Sequence, residues 1–107
     1  MSDNGKALYA VILWLPAAVE ADYLQWLDGR HIAEVAAEPG FLRGRRVRLN
    51  QTDADGRQGY LVLYDVASSR DLDAYLKGDN RQRFIAFGAR FEDVRIERLD
   101  GTVEFTV

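Results

Sequence analysis

The sequence predicts an α+β domain of the ferredoxin-like kind, β-α-β-β-α-β around an antiparallel sheet, with two such sheets packing as a dimeric α/β barrel. Three observations carry that expectation. Apolar runs without alternation, at residues 7–15 and 59–66, mark strands buried on both faces. Helical stripes follow each of these runs. In this fold the helices cover one sheet face only, so the other apolar face needs a cover, and a contiguous patch of that kind marks a protein interface. A second copy of the chain is the simplest cover, and a homodimer is expected.

The elements follow in order. A polar stretch, residues 1–6, is expected to be disordered, and residues 7–107 form a single domain. The first strand is nine apolar residues, too short to span a bilayer or to act as a signal peptide. Pro16 ends it and can open a helix, with Glu20 and Asp22 favourably placed near the positive end of the helix dipole. Leu24, Leu27 and Val35 recur at helical spacing until Pro39-Gly40 stops the helix, and Gly29 is expected to mark a bend. Residues 41–50 read as an arginine-rich second strand, which Asp55-Gly56 turns back into the third as a hairpin. Ser68-Ser69 caps a second helix with the stripe Leu72, Tyr75 and Leu76. Gly78-Asp79-Asn80 interrupts that helix, which resumes with Phe84, Ile85 and Phe87. Residues 94–99 form the fourth strand. Asp100-Gly101 is expected to be a tight turn into a further alternating strand, 102–107, paired at a sheet edge.

Composition excludes several classes. The formal charge is −3, which gives no attraction to phosphate backbones or anionic membranes. Arg43, Arg45, Arg46 and Arg48 look like a nucleic-acid patch, but alternation sends Arg43 and Arg45 to one face and Arg46 and Arg48 to the other. Neither nucleic acid nor membrane is expected as a partner. There is no cysteine, which removes disulfides and thiolate metal sites and suits a cytoplasmic location. One histidine with scattered carboxylates makes no transition-metal site, and no glycine-rich phosphate loop or Gly-x-Ser-x-Gly elbow exists. No cofactor is expected.

His31 is the only histidine and shares the helical stripe of Leu24, Leu27 and Val35, so it faces the sheet. A side chain that titrates near neutrality and points into an apolar cleft is a candidate general acid or base. The alternative is a core histidine satisfied by a backbone carbonyl. Asp28 and Glu34 flank it at i−3 and i+3 and could orient the ring, or sit on the surface. Tyr60 and Tyr64 share one face of the third strand and could line the cleft opposite, or serve as core aromatics. Leu27 and Val35 would contact a substrate, and Arg43 could hold a substrate carboxylate.

The stretch Trp26-Leu27-Asp28-Gly29-Arg30-His31-Ile32-Ala33-Glu34-Val35, then Glu38-Pro39-Gly40-Phe41 and a basic strand, resembles the EthD-like branch of the dimeric α/β-barrel superfamily. That resemblance, over residues 7 to 99 in element order, implies the fold and a histidine late in the first helix. The superfamily is mixed and includes polyketide cyclases, lactone isomerases, cofactor-free monooxygenases and haem-degrading enzymes. The leading expectation is a cofactor-independent enzyme that cyclises, isomerises or eliminates from a small apolar, aromatic or polyketide-like molecule. His31 would be its acid or base, and Tyr60 or Tyr64 would stabilise an oxyanion. A non-catalytic ligand-binding dimer is the second expectation, and haem or oxygen chemistry at His31 the third.

Overall fold

A computed structural model describes residues 6–107. Residues 1–5 of the terminus expected to be disordered lie outside the described residues, and the Lys6 carbonyl accepts the Val103 N–H at 2.8 Å. The chain runs β1 (Ala7–Leu15), α1 (Ala17–Trp26), a π-helical turn (Leu27–His31), α2 (Ile32–Ala36), β2 (Phe41–Thr52), β3 (Gln58–Val66), α3 (Ser69–Leu76), α4 (Asp79–Gly88) and β4 (Arg95–Thr102). The four strands form one antiparallel sheet in the order β2-β3-β1-β4, the ferredoxin-like arrangement that the element order predicts.

Register explains why β1 and β3 are apolar throughout. Tyr9 pairs with Tyr64, Val11 with Val62 and Leu13 with Tyr60, and five of these six are buried beneath the helices, Val11 packing partly buried against them. The intervening residues Leu8, Ala10, Ile12, Trp14, Leu61 and Leu63 take the other face and stay half-buried in the single chain. Val47 and Leu99 extend that face and are 44% and 57% exposed. The expected split of the arginines also holds. Arg43 and Arg45 reach Asp65 on the uncovered face, whereas Arg46 grips Asp28 and so lies on the helix side.

Local signals behave as their chemistry dictates. Ser68 caps α3 by accepting the Asp71 N–H at 3.1 Å. Gly56 has φ +82° at the hairpin corner, a conformation that glycine adopts without steric cost. Gly40, also at φ +82°, turns the chain into β2 so closely that a Cβ would lie 2.3 Å from Asp71.

Three expectations are corrected. Asp100-Gly101 is no turn, because β4 runs through it, pairing Asp100 with Tyr9 and Gly101 with Leu8. The extended edge of β1 supplies pairing partners, which outweighs the turn preference of the dipeptide. Residues 103–107 form no strand, and beyond Ala7, the end of β1, the Lys6 carbonyl, which takes the Val103 N–H, is the one backbone partner for them among the described residues. Phe105 is 82% exposed. The expected bend at Gly29 is instead a π turn, in which the Ile32 N–H donates to the Leu27 carbonyl.

Candidate functional site

A cavity of about 190 Å³ lies between the helices and the covered face of the sheet. Tyr9, Leu13, Val62 and Tyr64 form its floor, while Leu27, His31 and Val35 form one wall. Arg81 and Phe84 of α4 and Ile96 and Arg98 of β4 also line the cavity.

The π turn sets the position of His31. Its extra residue re-phases the helix and brings Trp26 and His31, five residues apart, face to face at 4.3 Å and 17° between planes. Phe84 meets the same imidazole edge-on at 5.2 Å. Arg46 pins the turn from β2, donating to both oxygens of Asp28 at 2.7 and 2.8 Å. Gly44 makes that approach possible: a Cβ there would lie 2.8 Å from the Tyr64 ring and 2.9 Å from Ile32.

His31 Nδ1 is buried and has no hydrogen-bond partner among the described residues. Burial pulls its pKa down from 6.5 to about 4, against the raising effect of Glu34 and with a further lowering from Arg98. The ring is therefore neutral at neutral pH. The flanking carboxylates do not orient it, since Asp28 is committed to Arg46 and Glu34 to Arg30 at 3.1 Å. A second buried polar atom without a partner among the described residues, Nε, belongs to Arg81, which also lines this cavity. Four tyrosines also line it: Tyr9, Tyr23, Tyr64 and Tyr75. Burial pushes Tyr23 up to about 12 and raises Tyr64 and Tyr75 as well, so these three hydroxyls keep their protons near neutrality.

Of the sequence candidates, the fold gathers His31, Tyr64, Leu27 and Val35 around this one cavity. Tyr60 is not brought there. It lies on the same face as Tyr64, but its hydroxyl donates to Glu20 of α1, and the Arg46 guanidinium covers its ring at 5.5 Å. Arg43 is not brought there either, because its register opposite Asp65 sends it to the uncovered face, where the two pair at 2.5 Å. Sequence reasoning missed Tyr9, Trp26, Arg81 and Arg98 as lining residues. Tyr9 had a usable signal, since its strand parity and antiparallel pairing place it opposite Tyr64. Arg81 and Arg98 had none. Among the described residues no three His, Cys, Asp or Glu side chains cluster as metal ligands, and no helix is long and apolar enough to cross a membrane.

A family model described as a domain of unknown function, DUF4286, matches residues 6–96. No curated protein matches the sequence. Solved structures with this fold include a variant of SnoaB, a cofactor-independent oxygenase from Streptomyces nogalater. It is 16% identical with a TM-score of 0.71, over 99% of this chain and 98% of that one. An ethyl tert-butyl ether D (EthD) family protein from Bacillus halodurans matches at 10% identity and a TM-score of 0.67, over 92% and 99% of the two chains. A conserved protein from Methanosarcina mazei matches at 10% identity and a TM-score of 0.69, over 95% and 96%. These likenesses show a shared ferredoxin-like fold, one that an EthD family protein also has.

Proposed function

We propose that this chain, which belongs to the DUF4286 family, is a cofactor-independent enzyme that moves a proton on a small aromatic or enolisable molecule bound beside His31. The observation that carries the reading is His31, a residue that lines an aromatic-walled cavity and whose Nδ1 is buried without a partner among the described residues. An unsatisfied buried polar atom is costly, and sites are where such a cost is retained. The cavity is also the right size for one ring: an engineered cavity of about 150 Å³ holds benzene, and this one is about 190 Å³.

The mechanism follows from the charge states. Neutral His31 accepts a proton from an activated C–H of the substrate, becoming an imidazolium stacked on the Trp26 face. The negative charge then moves onto a substrate oxygen, which a tyrosine hydroxyl such as that of Tyr64 stabilises as a donor. Because the surroundings disfavour imidazolium, His31 gives the proton back readily at a second position, as an isomerisation, cyclisation or elimination requires. The functional unit in this reading is a homodimer that closes the apolar sheet face of Leu8, Ile12, Leu61 and Leu63.

A second reading takes oxygen. The carbanion left by deprotonation can react with dioxygen, giving a carbonyl and water from a methylene, and SnoaB is a cofactor-independent oxygenase of this fold. Both readings are tested by incubating a panel of phenolic and 1,3-dicarbonyl compounds in deuterated water. Exchange of substrate hydrogen that His31→Gln reduces about 10²–10⁴-fold is the expected result. Oxygen consumption in the same tube distinguishes the second reading from the first. Exchange that is equally fast in His31→Gln would overturn both.

A further inference from the structure

We propose that the molecule bound in this cavity is an anion, a single-ring aromatic whose carboxylate, phenolate or enolate oxygen is held by Arg81 with Arg98 beside it. This deepens the reading of the same cavity and rests on it. Among the described residues two side-chain atoms are buried without a partner, His31 Nδ1 and Arg81 Nε, and both residues line this one space. A guanidinium N–H that has left water needs an acceptor, and an anionic oxygen is the acceptor that satisfies it best. The protein provides no such oxygen, since no aspartate or glutamate is among the lining residues. The cations there are Arg81 and Arg98, and the remaining polar groups are the neutral His31 and tyrosine hydroxyls that act as donors. Every fixed charge around the space is therefore positive.

The apolar remainder of the lining specifies the rest of the ligand. The Trp26 indole and the rings of Phe84 and Tyr64 are flat apolar surfaces facing a volume of about 190 Å³. That is room for one ring with a short substituent, by the benzene comparison. Arg81 belongs to α4 and His31 to the π turn, and both line the space, so in this proposal the anionic end goes to α4 and the ring lies between the sheet and the π turn.

Binding can be measured without knowing the reaction. The chain has two tryptophans, and only Trp26 lines the cavity, while Trp14 lies on the other sheet face with its indole N–H on Glu97 at 2.9 Å. Their two indole N–H resonances, assigned with Trp14→Phe, form a reporter and an internal control. Benzoate is expected to move the Trp26 resonance and leave that of Trp14, and neutral benzamide is expected to bind about tenfold or more weakly. Arg81→Met should bring benzoate down to the affinity of benzamide and leave benzamide unchanged. Equal affinity of the unmodified protein for the two probes would overturn the anion assignment while leaving an aromatic cavity beside His31. Unchanged benzoate affinity in Arg81→Met would overturn the role of Arg81. If neither probe moves the Trp26 resonance, the cavity reading falls as well. The comparison of the two probes needs no variant, so it stands even if Arg81→Met fails to fold.

Discussion

Replacing His31 with glutamine should change how stability depends on pH, and the direction follows from burial. The folded imidazole titrates near 4 and the unfolded one near 6.5. Above 6.5 both states hold a neutral ring, and its contribution is fully present. As pH falls through 6.5 the unfolded chain takes up a proton that the folded chain refuses until about 4, so stability is lost across that interval. At about 1.4 kcal/mol for each pH step the loss approaches about 3 kcal/mol, an upper bound because the ring is only partly shielded from solvent. For a domain near this size that corresponds to roughly 12–24 °C in Tm. Glutamine stays neutral, so carboxylate titrations common to both proteins cancel in the difference. The assay is a pair of melting curves every half pH step from 8 to 4. The expected result is a gap between wild type and His31→Gln that shifts against the wild type below pH 6.5. A gap independent of pH, or an imidazole NMR titration centred near 6.5, would refute the argument that the ring is held neutral by burial. The same variant should lose turnover by about 10²–10⁴-fold at neutral pH if the ring transfers protons.

Light scattering should give twice the chain mass of 12.1 kDa, and Leu63→Lys, which places a charge in the middle of the uncovered sheet face, should shift it towards the monomer. If a partner sheet covers that face, amide exchange in residues 103–107 should be slowed in the dimer and fast in that variant. Gly44→Ala forces a methyl against Tyr64 and Ile32 and should cost about 1–3 kcal/mol, seen as a lower Tm. Tyr64→Phe should reduce turnover, whereas Tyr60→Phe, which removes the hydroxyl that bonds Glu20 and Arg48, should keep turnover within about twofold while costing about 1 kcal/mol of stability.

The sequence by itself determined the layout. Run length and residue type identified β1 and β3 as strands with apolar side chains on both faces, turn chemistry placed Gly56, and the Ser68 cap and the break at Gly78 bounded α3 and α4. These signals are local, because each depends on backbone geometry or on neighbours a few residues away. The helical stripe placed Leu27, His31 and Val35 together for the same reason. What the sequence left open is which side chains from distant elements share one space. Tyr60 and Tyr64 have the same strand parity, yet one lies beneath α1 on Glu20 and the other under the π turn, because helix position over the sheet is not written in strand alternation. Asp100-Gly101 carries a turn signature that the β1 edge overrides. Arg81 and Arg98 lie 17 residues apart in sequence and read as ordinary surface cations. Only the tertiary fold, in which α4 and β4 both line one cavity, brings them to the same space, since burial and charge field are sums over neighbours in space that no local pattern contains.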